Sequence, residues 1–522
     1  MVKRVWHKRG WRATAALVCA LLAIGASASG QTTAPAQPQE DDFYRMVDIA
    51  VARAGTDSRN AQWKPAADPS RTPVLEVGGL LVMKNHRLAV ATRMGDVWLI
   101  DGAYENPPEP RFSRFATALH EPLGLLQDGD DLLVMQRTEL TRLRDRNADG
   151  QADEYLAAAR GWGVSGNYHE YAFGPKRDGA GRLWMTLNLG IGNGANNDIN
   201  WRGWAATIGK NGQIEPMCAG LRSPCALGAN LAGDMFMADQ QGNWVAANSV
   251  HHLRRGAFFG NAEMARSFEH PQSPVKLSGP VPRDLPYPQA VAQLPELCPP
   301  AVWIPYPSPG QGSTDIVADS TNGKFGPFAG QLFISDFTTA SVNRVFLEKV
   351  NGQYQGAAFP FRKGFASAVV RIAFGEDGSL FAGLTNRGWS SRGTASHGLQ
   401  RLVWTGKTPF EILEMSARPD GFELRFTQPV DARRAGDPAS YTIASHTYLY
   451  TDKYGSPEID ARQLTIRSAT VSPDGLRVRL VVDGLRTCYV HTLTADGVRS
   501  NDDQPLLHAA AYYTLNAIPR PQ

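Results

Sequence analysis

A turn rich in Gly, Asp or Asn runs into a short apolar strand six times along this chain: "NHRLAVAT", "DGDDLLVM", "GAGRLWMT", "LAGDMFMAD", "FAGQLFISD" and "EDGSLFAGL". The strand anchors Leu88, Leu132, Leu183, Met235, Leu332 and Leu380 stand 44, 51, 52, 97 and 48 residues apart. A period near 50 built from short strands is the pattern of propeller blades, whereas a helical repeat needs a 3.6-residue periodicity that these windows lack. Six anchors predict an all-β fold in which residues 71–405 form a six-bladed β-propeller. The double-length gap holds "SFEHPQSPVKLSGPVPRDLPYPQAVAQLPELCPPAVWIPYPSPGQGS", which carries too much proline for ladder pairing. It is expected to be an insertion over about 261–312 that roofs one face of the disc.

After Lys407 the texture changes. "GFELRFTQPV", "YTIASHTYLY", "LRVRLVVDGL" and "CYVHTLTA" alternate in the β manner, with turns such as "SPDG" between them. Residues 408–522 are therefore expected to form a small, separate β-sandwich of the immunoglobulin or fibronectin III kind. At the other end, basic Lys3, Arg4, Lys8, Arg9 and Arg12 precede "ATAALVCALLAIGASA" and the A-x-A site Ala26-Ser27-Ala28. Residues 1–28 read as a secretory signal peptide, which predicts a periplasmic or secreted protein. Residues 29–70, "SGQTTAPAQPQEDD" onward, read as a flexible linker.

Removing the five basic residues of the leader turns the formal charge from +3 to −2. That takes away the charge argument for nucleic acid as a partner. No later stretch is long and apolar enough to span a membrane. Four cysteines follow the leader: Cys218, Cys225, Cys298 and Cys488. Export permits disulfides, and Cys218 with Cys225 could close a loop; four buried thiols is the other reading.

Three stretches, "GLRSPCALGANLAGDMFMADQQGNW", "FAGQLFISDFTTASVNRVFLEKVNGQY" and "VVRIAFGEDGSLFAGL", resemble the sorbosone-dehydrogenase-like proteins. These belong with the soluble quinoprotein glucose dehydrogenases, which hold pyrroloquinoline quinone (PQQ). The resemblance spans roughly residues 75–405. It implies that His169, ahead of "EYAFGPKRDGAGRLWM", is the catalytic base. It also implies that Arg222 and Ser223 of "GLRSP" meet the cofactor, with serine where asparagine is usual. By the same resemblance Gly242 and Asn243 of "QQGNW" offer backbone oxygens to calcium, Thr338 stands where the family carries lysine, and Arg371 holds a cofactor carboxylate. Lys363, Arg387 or Arg392 is expected to supply a further cation from another loop.

The residues carry their own chemistry beside that resemblance. A neutral imidazole takes a hydroxyl proton near pH 7, as hydride abstraction from a sugar C–H/O–H centre requires. Trp389, in the loop "LTNRGWSSRG", is suited to stack on a planar ligand or a sugar, or to pack the loop. In "DRNADGQADE" the oxygens of Asp145, Asn147, Asp149 and Asp153 are spaced as calcium ligands around Gly150, although position twelve is Leu156 and the loop is no EF-hand. A structural calcium or a solvated turn both fit. The reading is an exported PQQ- and calcium-dependent dehydrogenase of a small sugar or sugar-derived aldehyde, passing electrons to a periplasmic acceptor. A calcium-dependent lyase, hydrolase or lactonase at the same mouth, and a carbohydrate-binding propeller without chemistry, stand as alternatives.

Overall fold

The structure is a computed structural model and describes residues 38–52, 73–192, 195–197 and 199–521. The signal peptide expected at 1–28 lies outside the described residues. α-Helix among the described residues is confined to three short pieces, Glu40–Phe43, Tyr287–Gln293 and Ala432–Ala435. Apart from two 3-10 turns, Ala265–Glu269 and Pro438–Ser440, the rest is strand, turn and loop, an all-β chain.

Six groups of four antiparallel strands follow one another. The first three are Val77–Val82 to Arg111–Ala116, Leu125–Asp128 to Glu154–Arg160, and Ala172–Arg177 to Ile214–Ala219. The fourth is Ala226–Ala229, Met235–Asp239, Asn248–His252 and Val302–Ile304. The fifth runs from Ser313–Ala318 to Gln353–Lys363, and the sixth starts at Val369–Phe374. First strands touch in cyclic order, one to two through five to six, and the first strand of the sixth group returns to Val77–Val82 of the first.

Every anchor of the repeat falls in the second strand of its group, for example Leu88–Thr92 and Leu183–Leu187. The physical cause is position. A second strand is paired on both edges and covered on both faces, so it reads as a continuous apolar run: Leu88–Thr92, Met235–Asp239 and Leu332–Asp336 are buried throughout. The hairpin into it needs a residue at positive φ, and in five of the six groups that residue is glycine, from φ 67° at Gly129 to φ 87° at Gly378.

Three boundaries differ from expectation. The linker expected at 29–70 contains a strand: Tyr44–Ala52 pairs with His397–Trp404 and becomes the outer strand of the sixth group. The insertion of 261–312 includes a strand too, Val302–Ile304, so the long connection runs from 253 to 301 between the third and fourth strands of group four. No residue of 253–301 lines the cavity on the axis of the ring, whereas Gln311 and Gly312 at the end of the expected insertion do. Leu285–Pro286 pairs with Leu449 and Tyr450, and Tyr287 and Ala290 are buried in one apolar cluster with Tyr448 and Tyr450. Third, the C-terminal region is not separate. Its two sheets enclose one core, with Phe422, Leu424 and Leu480 facing Ile443, Leu493 and Tyr513. One of them, through Ala510–Leu515, continues the outer strand Gln353–Lys363 of group five by pairing Gly356 with Thr514. An uncovered edge strand is a template for aggregation, and the C-terminal sheet covers this one.

Candidate active site

Because strands alternate direction, the starts of first strands and the ends of second strands share one face of the ring. There they enclose a cavity of about 320 Å³. Leu123, Tyr171, Cys225, Thr314 and Arg371 line it from the start of first strands or just before them, and Arg93, Asn188, Gln240, Phe337 and Thr385 from the end of second strands or just after them. Six of the residues singled out in the sequence meet in it: His169, Arg222, Ser223, Thr338, Arg371 and Trp389. They come from four groups, and only the ring brings them together.

His169 is half-buried, with Asn167 Oδ1 accepting from its backbone N–H at 3.0 Å. Trp389 and Tyr168 flank its ring at centroid distances of 5.7 and 5.4 Å. Its Nδ1 is buried without a hydrogen-bond partner. Burial, and then the charges of Arg222 and Arg137, hold its pKa below the ordinary 6.5, so the imidazole is neutral at pH 7.

Arg222 is buried, and its Nε has no hydrogen-bond partner. The carboxylates of Asp239 and Glu263 feel its charge without hydrogen-bonding to its side chain, and a buried guanidinium without a hydrogen-bond acceptor is costly unless a ligand supplies one. The chain holds it deliberately in place. Asp239, fully buried, accepts from the backbone N–H groups of Arg222, Ser223 and Gln240 at 2.7, 2.6 and 2.9 Å. A Cβ on Gly242 would overlap the Arg222 guanidinium, and on its other side lies the ring of Tyr454, 5.3 Å away. Asn188, also buried, leaves its Oδ1 unpaired. No carboxylate lines the cavity among the described residues.

The remaining cations are engaged. Arg371 was expected to clamp a carboxylate. Instead its guanidinium donates to the carbonyls of Gly78, Leu123, Thr314 and Val370 at 2.6–2.9 Å, so it pins groups one, two, five and six together at the axis. Arg387 does not line the cavity; it pairs with Glu76 at 2.7 Å. Arg93 lines the wall, but its Nε donates to Glu121 at 3.0 Å, and Arg137 pairs with the same carboxylate at 2.7 Å. That ion triad holds Tyr171 in place, with Arg137 4.5 Å above its ring.

The residues expected to hold calcium lie in two places, both outside the cavity lining. The carbonyl of Gly242 accepts from Gly455 N–H at 2.9 Å and that of Asn243 from Asn261 Nδ2 at 3.1 Å, and neither residue lines the cavity. Gly242 makes room for Arg222, and Asn243 anchors a C-terminal loop. Asp145, Asn147, Asp149 and Asp153 join a third strand to a fourth and so lie at the opposite end of the ring. Their oxygens accept one another's amides and the backbone N–H groups of Arg146, Asp149, Gly150 and Gln151. No group of three His, Cys, Asp or Glu side chains suited to a metal occurs among the described residues. The four cysteines among the described residues are free thiols: Cys218 is buried in apolar core, while Cys225 turns toward Arg371 in the cavity.

Arg93, Asn188, Asp239 and Tyr454 escaped the sequence reading. For most of the wall the signal was present: the residue five beyond each anchor is Arg93, Arg137, Asn188, Gln240, Phe337 and Thr385. Five of these line the cavity and Arg137 backs it. Tyr454 had no such signal.

Solved structures similar to this chain include sugar dehydrogenases. One is the PQQ-bound aldose sugar dehydrogenase of Streptomyces coelicolor, 11% identical over 65% of this chain and 96% of that one, with a TM-score of 0.44. The soluble aldose sugar dehydrogenase of Escherichia coli, in its apo-form, is 12% identical over 63% and 98%, with a TM-score of 0.43. The PQQ domain of Coprinopsis cinerea pyranose dehydrogenase is 10% identical over 71% and 99%, with a TM-score of 0.44. No protein-family model and no curated protein matches the sequence. Among the described residues no helix is long and apolar enough to cross a membrane.

Proposed function

We propose that the six strand groups are the blades of a β-propeller, and that the axial cavity is the active site of a sugar oxidoreductase holding PQQ. The observation that carries the reading is the buried, unpaired guanidinium of Arg222 facing a neutral His169 in a cavity without carboxylates. Those features suit a planar anionic group bound beside a hydroxyl that must lose a proton. Arg222 holds one carboxylate, and the Ser223 and Thr338 hydroxyls and the Gln240 amide offer neutral partners along the wall. Trp389, half exposed at the mouth, gives the sugar a stacking face. His169 accepts the hydroxyl proton at its imidazole. PQQ, when bound, supplies the hydride acceptor. With Arg371 committed to carbonyls, ionic contacts to such a cofactor are fewer than the resemblance implies, and weaker binding follows. Calcium, if required, is held by groups other than Gly242 and Asn243.

Export to the periplasm and transfer to an electron acceptor there complete the reading. One observation favours a second: a single unpaired arginine also suits a sugar acid or its lactone, handled without redox chemistry. Reconstitution separates the two. Purified protein is titrated with PQQ, with and without calcium, and scanned for quinone absorbance that aldoses bleach. We expect micromolar binding and bleaching, and His169→Ala should lower the bleaching rate by about 10²- to 10⁴-fold while PQQ still binds. Absence of PQQ binding at micromolar concentration in calorimetry removes the redox reading in favour of the second.

A further inference from the structure

The C-terminal region reaches into the cavity. Tyr454 sits at the tip of the loop between Thr442–Tyr450 and Glu458–Gln463, and it lines the same space as His169 and Arg222. Tyr454 is 66% exposed, among the most open aromatic residues described, yet its ring lies 5.3 Å from the Arg222 guanidinium. The loop itself is fixed. Tyr454 bridges Asn243 in antiparallel register, Gly455 N–H donates to the Gly242 carbonyl at 2.9 Å, and Ser456 N–H to the Ala246 carbonyl at 3.1 Å. Asn243 Nδ2 donates to the Asp452 carbonyl at 3.1 Å. Gly455, at φ 65°, packs directly on the Gln241 side chain. The loop is a wall and not a lid.

We propose that Tyr454 is a ligand-positioning residue, through which the C-terminal region completes the anion subsite. Arg222 is confined between Gly242, which leaves it room, and the tyrosine face, which attracts it. No hydrogen-bond acceptor fixes the guanidinium in plane, so these two neighbours, beside the more distant charges of Asp239 and Glu263, orient its donors. Its Nε is thereby kept buried and unpaired for an incoming carboxylate. The outer face of the ring, open to water, is free to stack on a planar ligand entering beside Arg222. The proposal rests on the cavity being an anion site and does not require that the anion be PQQ.

Two probes test it in equilibrium titrations followed by calorimetry: PQQ, and benzene-1,2,4-tricarboxylate, which is planar and anionic but redox-inert. For a probe that the wild type binds, Tyr454→Ala should weaken affinity about 3- to 30-fold, and Tyr454→Phe should stay within twofold of wild type, since a phenyl face retains the attraction. The thermal midpoint should barely move, because the ring is largely exposed and the loop's anchors are backbone bonds. If the tricarboxylate binds and PQQ does not, the cofactor reading fails while Tyr454 is judged on the tricarboxylate. Equal affinities of wild type and Tyr454→Ala for every bound probe overturn the proposal. So does a wild type that binds neither probe at millimolar concentration, or a Tyr454→Phe variant as weak as Tyr454→Ala.

Discussion

Gly242 shows how a small residue can govern a charged one without touching a ligand. Its φ is unremarkable; what matters is the space that a Cβ would take from the Arg222 guanidinium. Gly242→Ala should displace that side chain and cost about 10-fold or more in affinity for an anionic ligand, the worth of a charge-assisted hydrogen bond, with little change in the unfolding midpoint. Titration calorimetry beside thermal unfolding checks both halves. His169 offers an independent reading of the same charge. Its pKa is depressed by burial first and then by Arg222. NMR titration of its ring protons should give a value below 6.5, and Arg222→Gln should move it upward. If the base acts as proposed, activity falls as pH drops through that value, because protonation removes the accepting lone pair.

At the scale of elements, the second strand of each group does two jobs. Its middle is buried on both faces and makes the apolar repeat. Its end meets the axis and supplies the wall, five residues beyond each anchor. Arg371 ties such elements together, since its donors reach carbonyls of four different groups. Arg371→Met would leave those buried acceptors unpaired and should destabilise the fold by about 3 kcal/mol or more. Denaturant unfolding measures it. An effect confined to ligand affinity, with stability unchanged, would return Arg371 to the role of carboxylate clamp. The outer strand Tyr44–Ala52 is the other fastening. It closes group six with a segment remote in sequence, so the ring ends join by strand pairing and not by a loop.

Across the whole molecule, a buried ion cluster locks that fastening to the C-terminal region. His508 donates through Nδ1 to Glu411 at 2.6 Å and through Nε2 to Glu40 at 3.1 Å, and Arg362 reaches Glu40 at 2.8 Å. Donation from both ring nitrogens requires the protonated imidazole. Burial alone would lower its pKa; the Glu411 charge and the hydrogen bonds to both carboxylates outweigh burial and push it up to about 9. A raised folded pKa gives stability that is full below the unfolded value of 6.5 and is lost as pH rises through about 9. Thermal unfolding from pH 6.5 to 9.5 should therefore show a loss of roughly 2–3 kcal/mol. In His508→Gln that part of the decline should vanish, leaving lower stability at pH 6.5. A parallel decline in both proteins would mean that the cluster is not the cause.

The sequence alone determined the local layers of this protein. Hairpin glycines, the apolar second strands and their 50-residue spacing are written in short windows, because a strand covered on both faces must be apolar and a tight turn needs positive φ. The candidates His169, Arg222, Ser223 and Thr338 were legible only through the family resemblance, and Trp389 through the stacking chemistry of an aromatic ring in a Gly/Ser/Arg loop. What only the tertiary structure decided was pairing between distant segments. Tyr44–Ala52 looked like linker because a strand at the edge of a sheet needs no continuous apolar run; its partner at His397–Trp404 defines it. Charge partners were equally hidden. Arg371 and Arg222 are both buried arginines, yet four converging carbonyls satisfy one and none satisfies the other. Tyr454 enters the cavity only because the C-terminal sheet fuses to the fifth group and its neighbouring loop bolts onto Asn243, an arrangement set by edge pairing and packing across more than 200 residues of chain.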